Sequence, residues 1–295
     1  MTDARIADRG YRPYAGARTS VAGVVRALIW QTITQALGIG RRWTLKIAPV
    51  LTILVSFIPA IVFIGITAFI GSSIQDDETR QFLAELDFLP DYPDSYSYIT
   101  LAIALFVTFV APEVLCPDRR TGMLGMYLAS PLTRGTYLMA KGAAVAIVLS
   151  IITIGPGMLL LVGFTAQNAG PDTFVDWITA AARILGGGAA IATLFAAFSL
   201  AVSSLTDRKG VASAAIALVL IGSAGLSDAL VDGGQSEALR LINLWQLPIE
   251  LLYRIFGQAG NWDVSTAAVV GTYALVTGLS IATIIISYRR MDVRR

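Results

Sequence analysis

No histidine occurs among the 295 residues, and the single cysteine is Cys116. The first absence excludes Ser-His-Asp and Cys-His catalysis, histidine general acid–base chemistry and histidine-ligated zinc. The second excludes an intramolecular disulfide and any CxxC site. Charge is scarce too: Asp, Glu, Lys and Arg make up 14% of the chain, against about 25% in a soluble domain. A net charge of +2 gives no bulk attraction to nucleic acid, and no nucleic-acid partner is expected. A phosphate-cradling GxxxxGK[ST] loop is missing, since Lys141-Gly142 has the order reversed. No acidic pair falls within one apolar run and no Gly-x-Ser-Gly loop occurs, which disfavours an intramembrane enzyme. The chain is therefore expected to be no enzyme and to hold no cofactor or metal of its own.

What it has instead is apolar mass, 55% of all residues. A spanning helix needs about 20 mostly apolar residues, because the hydrocarbon core is roughly 30 Å thick and a helix rises about 1.5 Å per residue. Six runs qualify: about 47–70, 98–115, 143–164, 184–205, 211–230 and 264–286. They are continuous rather than alternating with period two, so the expected fold is an all-α integral membrane protein and not a barrel. Three parts follow: an N-terminal segment 1–46, a six-span domain 47–287 and a basic tail 288–295. The polar, Arg-rich start argues against a signal peptide.

Positive charge orients the spans. Eighteen of the 22 Lys and Arg lie in residues 1–46, the second-to-third connection, the fourth-to-fifth connection or the tail. In a six-span arrangement all of these share one side, which places both termini in the cytoplasm. The acidic residues Asp76, Asp77, Glu78, Glu85, Asp87, Asp91 and Asp94 crowd the first loop on the other side.

Residues 1–18 are polar and expected to be disordered. Val21, Val24, Val25, Leu28, Ile29, Ile33 and Leu37 then recur at helical spacing, with Ser20 as N-cap and Gly38 as stop. This pattern predicts an amphipathic helix in the inner membrane interface. Residues 231–263 are apolar but broken by Pro248, Glu250 and Arg254. They are expected to form one or two short re-entrant helices in the outer leaflet, with Trp245, Tyr253 and Trp262 at headgroup level.

The most informative connection is 112–142. Asp118, Arg119, Arg120 and Thr121 give it a charged entry. Met123, Leu124, Met126, Tyr127 and Leu128 make a short amphipathic stretch, ended by Ser130-Pro131. Thr133, Arg134, Tyr137 and Lys141 lead into the third span. A short helix rigidly tied to two spans transmits force from whatever grips it; an ordinary helical loop is the plain alternative. The order Asp118-Arg119-Arg120-Thr121-Gly122-Met123-Leu124, Tyr127-Leu128-Ala129-Ser130-Pro131-Leu132-Thr133-Arg134, Tyr137-Leu138 and Lys141 resembles the coupling loop of ABC-2 type transporter permeases, the membrane subunits of bacterial ABC exporters. Either Glu113 or Asp118 answers that family's usual acid. The motif covers about 30 residues, while the layout of spans agrees along nearly the whole chain.

The resemblance implies that Asp118, Arg119, Arg120, Gly122, Met123, Leu124, Tyr127, Pro131 and Arg134 face a separate ATPase subunit. Two such subunits would carry ATP and Mg, and a second permease subunit, identical or homologous, would complete the conduit. It also implies a bacterial cytoplasmic membrane. The segment Leu230-Val231-Asp232-Gly233-Gly234-Gln235-Ser236 echoes the ATPase signature LSGGQ, but it lies on the outer side and Gly-Gly after Asp is an ordinary turn.

Charges at membrane depth cost about 2.5–3.5 kcal/mol and are functional candidates by default. Glu113 has two readings, a pair with Arg119 or Arg120 through a bend at Pro112, or a snorkel to the inner surface. Arg183 reads as an outer anchor paired with Asp172 or Asp176, with a substrate contact as the alternative. Gly155-Pro156-Gly157 is expected to kink the third span, and Gly186-Gly187-Gly188 permits close helix approach. Each marks a dimer interface, a moving joint or ordinary packing. Apolar span surfaces suit a hydrophobic or amphipathic cargo. The competing function is a membrane scaffold that recruits a cytoplasmic partner through the same loop.

Overall fold

The computed structural model describes residues 20–40, 43–73, 91–128 and 132–290. The N-terminal 19 residues, most of the first acidic loop, Pro131 and residues 291–295 lie outside the described residues. Every regular element among the described residues is helical: α1 (Val21–Ala36), α2 (Trp43–Ser73), α3 (Ser95–Leu105), α4 (Pro112–Arg120), α5 (Leu124–Leu128), α6 (Arg134–Ala166), α7 (Phe174–Ser203), α8 (Lys209–Asp232), α9 (Leu247–Phe256) and α10 (Thr266–Arg289). A π-helical stretch, Phe106–Val110, joins α3 to α4, and a 3-10 helix, Glu237–Ile242, precedes α9. Six helical units are long and apolar enough to cross a membrane: Lys46–Phe69, Ser95–Arg120, Arg134–Ala166, Phe174–Ser203, Lys209–Asp232 and Thr266–Arg289. The chain is a multi-pass membrane protein.

The boundaries differ from the apolar runs for a reason. A hydropathy run stops at a charge, whereas a helix continues if that charge is neutralised or can reach solvent. The third span begins at Arg134 instead of about 143, and holds a buried Lys141 that has a counter-charge. The fourth begins at Phe174 instead of about 184, because Arg183 is exposed and Thr173 caps the helix by accepting from the Asp176 amide at 3.1 Å. The second runs unbroken to Arg120 instead of ending at about 115. Pro112 there lacks an N–H, and the Ala111 amide just before it bonds five residues back to Phe106 O at 3.1 Å. Pro156 sits inside α6, which is assigned as one helix across it.

Helices α6 and α7 form the centre. Packed around α6 are α1, α2, α3 and α7; around α7 are α6, α9 and α10. The contacts Phe57 with Gly155 and Ile64 with Gly163 run α2 parallel to α6, as alternating spans require. Outer helices such as α8 and α10 keep large apolar side chains exposed, among them Leu218, Ile221, Leu275 and Leu279. A lipid-facing surface accounts for them. Ser20 does cap α1, and Gly38 follows its end with a left-handed φ of 68°. Leu28, Thr32 and Ala36 of α1 are buried, chiefly against α6.

Glycine decides how closely α7 is approached. A Cβ on Gly187 would overlap Leu252 Cδ1 of α9, and one on Gly188 would overlap Ile154 of α6. Gly186 meets nothing within 4 Å. Gly157 is buried in α6 beside Tyr96 and Ile184. Gly157, Gly187 and Gly188 are thus packed against other helices of the same chain. The Gly233-Gly234 pair ends α8, with Gly234 at φ 84°, as a turn demands.

At the end holding α9, a buried ion pair shapes the loop. Glu250, 2% exposed, accepts from Arg254 Nη2 at 2.8 Å and from the Asn261 amide at 3.0 Å. Arg254 also donates to the carbonyls of Trp262 and Val264. Tyr253 Oη donates to Asp94 at 2.5 Å, tying α9 to the start of the second span. Burial, aided by that hydrogen bond, pushes the Tyr253 phenol up to about 12. Tyr253 and Trp262 are thus packed inside protein, at 6% and 7% exposure.

Overpacking costs typically about 1–3 kcal/mol. Gly187→Ala is expected to lower thermal stability in detergent by that order, while Gly186→Ala leaves it within about 0.5 kcal/mol. Equal melting temperatures for the two variants would refute the close α7–α9 contact.

Candidate functional site

The ends of five spans converge where Lys and Arg are concentrated. The C-terminal part of α4, the N-terminus of α6, the C-termini of α7 and α10, the N-terminus of α8 and the helix α5 all meet there. Local chemistry explains the convergence.

Pro117 lies inside α4 and has no N–H, so the carbonyl of Glu113 loses its helical donor. Gln35 Nε2 of α1 supplies one instead, at 3.1 Å. Two turns of backbone then stop at Gly122. Its φ of 66° is left-handed, the Met123 amide donates to Asp118 O at 3.1 Å, and the Gly122 amide to Arg119 O at 3.3 Å. That pattern is a Schellman terminator, for which glycine is the favoured residue. Gly122 therefore sets the direction in which the chain enters α5. Beyond it, Thr133 starts α6 through a reciprocal capping box with Thr136.

These two turns bring Asp118 over α6. The carboxylate is 7% exposed and accepts from Lys141 Nζ at 2.8 Å and from Tyr137 Oη at 2.8 Å. Lys141 is 1% exposed and donates also to Val114 O at 3.3 Å. Its ammonium lies 5.8 Å from the ring centroids of both Tyr127 and Tyr137. Tyr127 comes from α5 and Tyr137 from α6, and their centroids are 5.3 Å apart. Burial raises the Tyr127 phenol, and the Asp118 charge adds to it. One buried cation is thereby held by a carboxylate of the second span, a carbonyl of the same span and an aromatic face of the short helix.

The basic residues around this pair bind helix ends. Arg134 Nη1 donates to Tyr288 O at 3.1 Å and Arg289 O at 3.2 Å, carbonyls that α10 leaves open at its C-terminus. Arg119 Nη1 donates to Ser287 Oγ at 3.2 Å, and its guanidinium carbon lies 5.8 Å from the Tyr288 ring centre. Ser287 Oγ donates in turn to Ser204 O of the fourth span at 2.5 Å. Cys116 Sγ donates to Ser203 O at 3.8 Å, and burial pins this cysteine inside the bundle.

Glu113 pairs with Lys209 at the start of α8. The sequence leaves Glu113 either a pair with Arg119 or Arg120 or a snorkel to the inner surface, and Lys209 is a partner that neither reading names; Arg119 Nη1 donates to Ser287. Arg120 is exposed and lines a polar cleft of about 550 Å³ with Asp207, Arg208, Lys209 and Gly210. Arg183 is exposed near the opposite end and forms no ion pair among the described residues; the Asp176 carboxylate accepts instead from Thr173 at 2.6 Å. Met123 is half-buried, Met126 of α5 is 69% exposed, and Leu124 opens α5.

Sequence reasoning thus named Asp118, Arg119, Tyr127 and Arg134 without their partners. It left Lys141 as the mere end of a loop, although a lysine inside an apolar helical run signals a buried counter-charge. Tyr288, Ser287 and Lys209 gave no signal, since each contact closes a loop of about 90 residues or more. Among the described residues, no group of three Cys, Asp or Glu side chains could hold a metal ion.

Removing one member of a buried ion pair costs about 3–5 kcal/mol, because the other charge is stranded. Lys141→Met is expected to cost that order in detergent unfolding, and Asp118→Leu with Lys141→Met together less than Lys141→Met alone. A double variant no better than the single would show that the two charges are not coupled. No family model matches this chain, and no curated protein matches it.

Proposed function

We propose that the chain is the permease subunit of an ATP-driven exporter of the ABC-2 type, moving a hydrophobic or amphipathic cargo. The observation that carries this reading is the mounting of α5. The helix is short, presents Met126 outward, and turns Tyr127 inward onto the Lys141–Asp118 pair. Residues on either side of it, Arg119 and Arg134, are fastened to the last span. A push on α5 is therefore passed to the second, third and sixth spans through polar contacts rather than absorbed by a slack loop.

In this reading the basic end faces the cytoplasm of a bacterial cell, as the positive-inside rule requires. Helix α1 lies in the inner interface, α9 and the 3-10 helix before it form a re-entrant segment in the outer leaflet, and both termini are cytoplasmic. Nucleotide and Mg are bound by two copies of a separate ATPase subunit that grip α5 and the exposed Arg120. A second permease subunit completes the pathway. The chain itself contributes no catalytic group; its work is to convert closure of the ATPases into a change of span arrangement.

The test is co-purification with an ABC ATPase encoded beside this chain, followed by ATPase assay in vesicles. Met126→Asp and Arg120→Glu are expected to reduce association, and Arg134→Gln to leave association intact while lowering coupled ATPase activity by about tenfold, equivalent to about 1.4 kcal/mol. Full association and full coupling in all three variants would refute the reading. Recruitment of a partner without cargo-stimulated ATPase activity would identify a scaffold instead.

A further inference from the structure

A groove lies between α6, α7 and α10, beginning at the basic end. Its volume is about 440 Å³ and its walls are almost wholly carbon. Small side chains, Gly142, Ala143, Ala146 and Ala196, make the floor. Lys141 borders it, but that charge is already spent on Asp118. On the α6 wall the groove runs from Gly135 to Ala146, 11 residues or roughly 17 Å along the axis. Half of a hydrocarbon core is about 15 Å. The groove therefore matches one leaflet in depth. It opens sideways, since Met139 and Ile281 on its rim are 74% and 46% exposed.

Its mouth is cationic. Arg134 precedes Gly135 and spans the mouth to reach the α10 carbonyls with Nη1 alone. Nε and Nη2 of that guanidinium have no hydrogen-bond partner among the described residues. Arg289, one helical turn beyond the lining residue Ile285 of α10, is exposed, and so is Arg290 after it. A cleft of carbon capped by unspent guanidinium groups is complementary to a molecule with one long apolar chain and an anionic head.

We propose that this groove binds an anionic phospholipid of the basic-end leaflet, one per chain. An acyl chain lies between Met139 and Ile281, over Ala143, and the phosphate meets Arg134 and Arg289. Bidentate pairing suits a guanidinium to a phosphate. Since the site joins α6 to α10, a bound lipid braces the same two helices that Arg134 links. The proposal needs only that the six helices cross a bilayer, and stands whether or not an ATPase partner exists.

Native mass spectrometry of the full chain in detergent, titrated with phosphatidylglycerol or phosphatidylcholine, tests it. The wild type is expected to bind one phosphatidylglycerol, with a preference of roughly tenfold over phosphatidylcholine. Ala143→Trp fills the floor and is expected to abolish binding of both lipids. Ile281→Trp on the open rim blocks entry without touching the core, and decides the matter if the first variant fails to fold. Arg289→Gln is expected to keep lipid binding but erase most of the preference. Equal binding of the two lipids by the wild type would overturn the proposal, as would unchanged phosphatidylglycerol binding in a folded groove variant. So would a dimer that Ile281→Trp splits while lipid binding persists, because the groove would then hold a second copy.

Discussion

A lysine ammonium inside a bundle of apolar helices has no water to solvate it. Lys141 sits in that position, and much of the architecture at the basic end follows from satisfying it. Its carboxylate partner must come from another span, so the second span has to continue as a helix to Asp118. The rest of its surroundings must be carbonyl and aromatic, which calls Val114, Tyr137 and Tyr127 into place. Tyr127 belongs to α5, so the orientation of that short helix is coupled to a buried charge. Such pairs are poor sources of net stability but strong selectors of one arrangement, because every alternative strands a charge.

The two ends of the bundle use the same physics differently. At one end, Glu250 and Arg254 fold a loop back on itself, with both charges on α9 and their other hydrogen bonds to main chain within 12 residues. That clasp is local. At the other end, Asp118, Lys141, Arg119 and Arg134 reach between spans and across 150 residues of sequence. A local clasp keeps one loop closed whatever its neighbours do, whereas a distributed set of contacts makes neighbours move together. Helices α2, α8 and α10 are the least buried spans; Glu113 holds the start of α8, and Arg119 and Arg134 hold the end of α10.

Much of the fold was legible before any coordinates. Apolar run length alone finds six spans, and capping chemistry places α1 to within a residue. Boundaries were missed wherever a charge stood inside a helix, because composition records the charge and not its partner. The candidate site was legible in its short-range chemistry only. The turn at Gly122 and the capping box of Thr133 with Thr136 are local features of this kind, although the sequence places Gly122 and Thr133 only in the loop that leads to the third span. The pairing of Glu113 with Lys209 could not be read, since nothing local distinguishes Lys209 from the nearer Arg119 and Arg120. Tyr253 looked like an interfacial aromatic by composition, and only its hydrogen bond to Asp94 reveals a packed role.

The π-helical stretch at Phe106–Val110 bears on all of this. A wider turn accommodates one more residue than an α-helix of the same height, so the helix beyond it is rotated by about 100° relative to an uninterrupted one. Asp118 lies about two turns past that point, and Glu113 within one turn of it. The azimuth of both carboxylates is therefore dialled by a single surplus residue near mid-membrane. The second span works as an indexed shaft: restoring plain α-helical winding there would turn Asp118 away from Lys141 and Glu113 away from Lys209 in one motion. A change in winding there, with no break in the helix, would displace both carboxylates together.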